Sequence, residues 1–542
     1  MSSVASDESR EAFDGVHVPK RARRLFLGVS LIVLAVYLAS ARGTPMTFDE
    51  RLVYDTTASF VHGSPYIRTP LLHRFPDWAT TRSNGKQVGI YALGTSMAAA
   101  PMYVLGKVVA MAAPEHKRAR VLVTATMFTN AFITAGTVFM LMLLCLLLGA
   151  PPGGSVLVGL SFGLGSYAFP HALTMFTEPG TALCLIASVF FAVRASRRGA
   201  RSDLVWCGVW AGAGVLFRVT AVLFLPVLGL WLLAVAAWKV RDARARAARA
   251  FEFGAWYLAG AVGPIVLALL INWWRYGSPI KFGYAIGGPA TSQSYPIARG
   301  IAGQWFSSGK SIFFYAPIAI IVVCGLFRAF RRMPVEMALL GSLVIVNTLF
   351  FARVQFWSGD WAWGPRYLQI VLPCLAAMAA PLMDSRWWRY AVAGVGVVGF
   401  VVAALPAVLV RFTIIFYYAF AAKPPPSVQG PLDWDHSYYA LIWHTLHWQP
   451  ILYQLRALPH AFSNSLDHVT SRYGPPPVTR FPGKPRFELW WLRARDLGTT
   501  TVFLFALLPI GAAAAGVRLV RRAPEPASPA LAPADELSAA LD

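Results

Sequence analysis

The sequence predicts an all-α polytopic membrane protein, and three observations carry that prediction. Of its 542 residues 56% are hydrophobic and 13% charged, whereas a soluble globular chain carries about 25% charged residues. Apolar runs of about 20 residues, enough to cross a bilayer as a helix, recur from one end to the other. Short basic clusters close those runs: "KRARR" (20–24), "RASRRGAR" (194–201), "KVRDARARAAR" (239–249), "RAFRR" (328–332) and "RLVRR" (518–522). The formal charge of +23 is therefore distributed as the positive-inside rule distributes it. A nucleic-acid partner is not expected from that pattern.

The spans read as 25–41, 121–148, 155–172, 179–194, 203–218, 220–238, 254–272, 311–328, 335–352, 366–383, 390–418 and 497–517. A further apolar segment, "YALGTSMAAAPMYVLGKVVAMAA" (91–113), is long enough to cross but carries Gly94, Pro101 and Lys107. Were it to cross, the Arg-rich loops at 194–201, 239–249 and 328–332 would fall opposite the N-terminal "KRARR". Laid along the outer surface, it leaves every cluster on one side. Twelve spans with a cytoplasmic N-terminus follow. No small-residue cleavage site follows the first apolar run, which is expected to stay as an anchor.

This threading divides the chain into a cytoplasmic tail (1–24), a transmembrane domain (25–418) with a first outer loop at 42–120, an extracytoplasmic loop region (419–496), a last span (497–517) and a tail (518–542) expected to be disordered. Segments 273–310 and 353–365 also face outward. The 419–496 region is rich in proline and aromatic residues, so an irregular loop region is expected. Within it, "SYYALIWHTLHWQPILYQL" (437–455) is expected at the membrane interface. All five cysteines lie in apolar segments, so no disulfide framework or cysteine metal site is expected. His444 and His447 have the i, i+3 spacing of a ligand pair but no evident third ligand. There is no P-loop, G-x-S-x-G or H-E-x-x-H pattern.

Four outer-face stretches hold the candidate site residues. "TFDE" (47–50) follows the first span and sets Asp49 beside Glu50. These acids fit a capping box with Thr47 as N-cap, or a base whose pKa its neighbour raises. "LTMFTEPG" (173–180) puts Glu178 at a turn between spans, with His171 nearby. An acid so close to hydrocarbon is a functional candidate, or an N-cap before Pro179. "FARVQFWSGDWAWGPRYLQI" (351–370) gathers Arg353, Asp360, Arg366 and Tyr367 among tryptophans, as an aromatic belt with snorkelling arginines or as a phosphate grip. "NWWRYGSPIKFGY" (272–284) places Arg275 and Lys281 beside tryptophans, as interface anchors or ligand contacts. Arg218, in "GVLFRVTAV", is the one ionisable residue sited deep in a span or at its outer end.

An acidic pair after the first span, then the 91–113 surface helix, then an acid opening the fourth span, resembles the GT-C glycosyltransferases. The likeness is to the protein O-mannosyltransferase and aminoarabinose-transferase type, over about residues 20–420, and "WGPRYL" (363–368) is similar to a motif of many bacterial members. The resemblance implies a GT-C-like bundle and an active site on the extracytoplasmic face of a bacterial inner membrane. It implies a polyprenyl-phosphate sugar donor and an acceptor hydroxyl on a protein, lipid or glycan. Asp49 matches the family's catalytic base, Glu178 is similar to its second acid, and Glu50 matches less surely. Arg366 becomes the candidate lipid-phosphate contact, with Arg353 as the alternative. Metal dependence stays open: some members resemble metal-assisted catalysts and others do not, and Asp49 is where a divalent cation would sit. Two further readings also stay open, a transporter or flippase for lipid-linked glycans and an outer-face glycan ligase.

Overall fold

The structure, a computed structural model, describes residues 18–67, 69, 79–238, 240–284, 292–359, 362–408, 451, 455 and 489–523. Most of the 419–496 region, with His436, His444, His447, His460 and His468, lies outside them, as do Asp360 and most of the C-terminal tail.

In chain order the helices begin with α1 (Lys20–Ser40) and α2 (Phe48–Val61), followed by a hairpin of β1 (Ala79–Thr81) and β2 (Gln87–Gly89). Next come α3 (Gly94–Ala110), α4 (Glu115–Met127), α5 (Thr129–Leu147), α6 (Pro152–Gly163), α7 (Ala168–Ala172), α8 (Glu178–Arg198) and α9 (Arg201–Phe217). Then follow α10 (Phe224–Trp238), α11 (Ala243–Tyr276), α12 (Ile297–Phe306), α13 (Ile312–Tyr315), α14 (Ile318–Arg332) and α15 (Pro334–Ala352). A 3-10 turn (Arg366–Ile370), α16 (Leu372–Ala377), α17 (Arg386–Val408), a second 3-10 turn (Trp490–Arg493), α18 (Ala494–Leu497) and α19 (Thr499–Arg521) complete the described chain.

Among the described residues, eight helices are long and apolar enough to cross a membrane: Lys20–Ser40, Glu115–Leu147, Glu178–Arg198, Val219–Trp238, Ala243–Tyr276, Pro334–Ala352, Arg386–Ala407 and Thr499–Arg521. The chain is a helical polytopic membrane protein. The other four expected spans are helical but shorter or broken. α9 stops at 17 residues, and a turn separates α6 from α7. Pro317 follows α13, and the 366–383 segment, punctuated by Pro373 and Pro381, opens as a 3-10 turn. A proline removes a backbone donor and crowds the preceding turn, which breaks such helices.

The two ends of the bundle carry different chemistry. At one end, Arg197 closes α8 with donations to the Leu147 carbonyl and to Glu336, the latter at 3.0 Å. There too Arg332 pairs with Asp384 at 2.7 Å, and Arg194 with Asp203. At the other end, roughly 30 Å away along the helix axis, α8 opens with Glu178. α1 and α19 run antiparallel, so Lys20 and Arg521 share the basic end. Both ends of α3 meet residues of the acidic end, Gly94 against Leu216 and Phe217, Gly106 against Leu122 and Ala125. Segment 91–113 therefore does not reach the basic end.

α1 and α19 touch backbone to backbone. A Cβ on Gly28 would fall 2.8 Å from the Gly516 carbonyl oxygen, the close approach that small residues permit between apolar helices. Gly28→Val is expected to push the pair apart at a cost of about 1–3 kcal/mol. Gly511→Ala, where nothing lies within 4 Å, is the control. Thermal unfolding in detergent checks this: the midpoint falls for Gly28→Val and stays for Gly511→Ala.

Candidate active site

The residues between α1 and α2 fold as the capping box that "TFDE" allows. Thr47 Oγ1 accepts from the Glu50 amide at 3.3 Å, and Glu50 Oε2 accepts from the Thr47 amide at 2.8 Å and from that of Met46. Its other oxygen, Oε1, accepts from Met175 N at 3.3 Å, so Glu50 also ties α2 to the segment leading into α8. Glu50 is fully buried. Burial pushes its carboxyl up to about 7, against the three backbone donors, and the charge of Asp49 adds to the rise.

Asp49, one position earlier, points elsewhere. Its Oδ2 accepts from Arg366 Nη1 at 2.7 Å. The same guanidinium donates through Nε to Glu178 Oε1 at 2.9 Å, and Arg218 Nη1 donates to that oxygen at 2.8 Å. A chain of alternating charge results, Asp49–Arg366–Glu178–Arg218, with no net charge. Asp49, Arg366 and Glu178 thus meet although they are 129 to 317 positions apart in the sequence.

Aromatic rings wall this chain. The Arg366 guanidinium lies 3.8 Å from the Phe176 ring centre, and Arg218 lies 5.0 Å from that of Tyr367, which stacks on Phe351. Tyr91 hydrogen-bonds Asp49, and burial with the nearby Asp49 charge holds its phenol well above the usual range. Glu178 is fully buried and its Oε2 has no partner within the protein. Asp49 and Arg218, the two ends of the chain, each keep 14% of the side chain exposed, so of the two carboxylates Asp49 is the one with access to water.

The other sequence candidates divide. Tyr367 joins the wall. His171 is fully buried with both ring nitrogens engaged, Nδ1 with Gln369 and Nε2 with the Trp363 carbonyl at 2.9 Å. It belongs to the scaffold behind Arg366, with no ring nitrogen left for a ligand. Arg275 is buried too, and donates to the carbonyls of Tyr91 (2.7 Å) and Gly89 (2.8 Å). It fixes the backbone that carries Tyr91. Arg353 and Lys281 are exposed, outside the charge chain. Sequence reasoning did not single out Tyr91, Gln369 or Lys310, and it noted Arg218 without a role. Only Arg218 had a signal, a charge at the end of an apolar run.

Among the described residues no group of three or more His, Cys, Asp and Glu gathers as for a metal ion. Asp49 and Glu178 each give an oxygen to a guanidinium, a donor set arranged for cations already in the chain.

No protein-family model and no curated protein matches the chain. Solved structures do resemble it. One is ArnT from Cupriavidus metallidurans bound to undecaprenyl phosphate, at 14% identity over 92% of this chain and 77% of that one, with a TM-score of 0.47. The same protein in its apo state matches at 16% identity over the same shares, with a TM-score of 0.42. The Pmt1-Pmt2 protein O-mannosyltransferase complex of S. cerevisiae, bound to its sugar donor, matches at 12% identity over 54% of this chain and 38% of that one, with a TM-score of 0.38. The sequence resemblance named the same two kinds of transferase. These likenesses concern the course of the backbone, and the site is argued from this chain's own side chains.

The buried Glu50 makes stability depend on pH. Its folded-state pKa, about 7, exceeds its ordinary 4.5, so the native chain holds a proton that the unfolded chain has released. The stability so gained is present below pH 4.5 and is lost as pH rises through 7. Thermal unfolding of wild type and Glu50→Gln between about pH 5 and about pH 8 is expected to show a steeper decline for wild type. Equal slopes would remove Glu50 from the titration.

Proposed function

We propose that the chain is an integral membrane glycosyltransferase that moves a sugar from a polyprenyl phosphate to an acceptor hydroxyl. One observation carries the reading: Arg366 bridges Asp49 and Glu178 at the end of the bundle opposite its basic clusters. By the positive-inside rule the basic end is cytoplasmic, which assigns the charge chain to the extracytoplasmic face of the plasma membrane. Nucleotide sugars are cytoplasmic, so an enzyme working on that face needs a donor already carried across. A sugar on a lipid phosphate supplies one, its tail among the apolar helices and its phosphate at the depth of Arg366.

Arg366 then has two successive partners. Without donor it holds Asp49 in a charge-paired hydrogen bond, so that carboxylate oxygen is occupied. A phosphate beside Arg366 competes for the same N–H groups, since guanidinium matches phosphate geometry well. Asp49 is thereby released where its carboxylate meets water, free to take the acceptor's proton. The acceptor oxygen attacks the anomeric carbon, its proton passes to Asp49, and the bond from that carbon to the phosphate oxygen breaks with its electron pair on the lipid phosphate. Configuration inverts. Arg366 stabilises the charge growing on the leaving phosphate. Glu178, locked between two arginines, holds Arg366 in place. Glu50 caps α2 and thereby orients Asp49, a positioning role. No step uses a divalent cation. A flippase reading draws on ionisable groups along the middle of spans, whereas Glu178 and Arg218 sit at helix ends.

The test uses purified full-length protein in membranes with synthetic polyprenyl-phosphate sugars of several kinds, reading the sugar transferred. Asp49→Asn is expected to slow transfer about 10²–10⁴-fold, the usual worth of a general base, while native mass spectrometry still detects bound undecaprenyl phosphate. Arg366→Ala is expected to weaken that binding about 10- to 100-fold, the worth of a charge-assisted hydrogen bond. Wild-type transfer by Asp49→Asn overturns the assignment of the base.

A further inference from the structure

Lys310 is a fully buried cation that the proposed chemistry does not use. It lies in "SSGKS" (307–311), between α12 and α13. Its Nζ donates to the carbonyl oxygens of Ala362 at 2.5 Å and Gly364 at 3.3 Å. From another part of the chain, His171 Nε2 donates to the carbonyl between them, that of Trp363, at 2.9 Å. Two side chains therefore hold three consecutive carbonyls, and Pro365 and Arg366 come next.

The surroundings fix Lys310 in turn. Its own amide donates to Ser307 Oγ at 3.1 Å, and the Tyr315 hydroxyl donates to the Gly309 carbonyl at 2.9 Å. Trp363 is buried edge-on against Tyr315, with ring centres 5.2 Å apart. The clamped segment needs such restraint. Gly359 and Gly364 both adopt φ +72°, a conformation open to glycine but one of many it visits freely. A flexible stretch here would let the Arg366 guanidinium wander between Asp49 and Glu178.

We propose that Lys310 is a positioning residue: its buried ammonium, with His171 opposite, fixes the 362–364 backbone so that Arg366 presents its guanidinium to the donor phosphate. The proposal rests on the reading of Arg366 as the phosphate grip. Away from water an ammonium attracts carbonyl dipoles strongly. A neutral side chain in its place leaves the Ala362 and Gly364 carbonyls buried without those donors. The effect on a ligand passes through Arg366, which a double-mutant cycle can isolate.

The experiment uses the full chain in detergent with undecaprenyl phosphate as the probe, in wild type, Lys310→Met, Arg366→Ala and the double variant. Lys310→Met keeps the apolar stem and removes the charge. It is expected to speed amide hydrogen exchange in peptides covering 362–370 while peptides of α8 and α19 exchange as in wild type. Lipid affinity is expected to fall about 10- to 100-fold, as a small displacement of a binding group does. In the Arg366→Ala background Lys310→Met is expected to add nothing further. Unchanged exchange at 362–370, exchange raised throughout the molecule, or losses that add independently of Arg366 would each overturn the proposal. If Lys310→Met does not fold, Lys310→Gln, whose amide reaches one carbonyl, carries the same expectations in weaker form. Wild type failing to bind the lipid would overturn the reading of Arg366, while the exchange arm still decides whether Lys310 holds the loop.

Discussion

One guanidinium answering two carboxylates organises the acidic end of this bundle. Arg366 cannot lose its proton at any ordinary pH, so its charge must be matched wherever the fold puts it. Glu178 matches it from the start of α8, and Asp49 from the first turn of α2. Much nearby structure keeps those three groups in register. Glu50 ties α2 to Met175, Arg218 shares the Glu178 oxygen, and Arg275 pins the backbone that brings Tyr91 to Asp49. A carboxylate removed from such a site leaves a buried cation unmatched, the condition proteins tolerate least.

The arrangement links stability to function. The charge chain is fully paired: Asp49 is held by Arg366 and Glu178 by two arginines. A phosphate group changes the count, because it brings negative charge to a cation that already has two carboxylates. In the proposed reaction Asp49, the acid with water access, is the partner that gives way, while Glu178 stays. In that proposed reaction the donor thus frees the base that uses it, and without donor the same contact keeps Asp49 from acting on water.

Much of this was legible in the sequence. Apolar runs located the membrane helices and basic clusters marked the basic end of the bundle, because hydrocarbon thickness and the loop-charge bias act on composition alone. Asp49, Glu178 and Arg366 were legible as a constellation because each interrupts or borders an apolar run, where an unneeded charge is costly. The division of labour between Asp49 and Glu50 was not. Both readings of "TFDE" were available, and tertiary structure alone shows one acid capping the helix while its neighbour faces the arginine. His171 and Arg275 looked like ligand contacts because histidine and arginine beside tryptophan read alike in the wall of a site and inside it. Lys310 gave no signal, since the carbonyls it holds lie some 50 positions away. The shortened helices at 311–328 and 366–383 were read as full spans because hydropathy does not register where a proline breaks the backbone.

The most direct measurement is a structure of the protein in lipid nanodiscs with undecaprenyl phosphate bound. The account predicts the phosphate against the Arg366 guanidinium, Asp49 drawn off it into the water-facing space, and the Glu178 contacts to Arg366 and Arg218 retained. A phosphate held elsewhere, with the Asp49–Arg366 pair still closed, would contradict it.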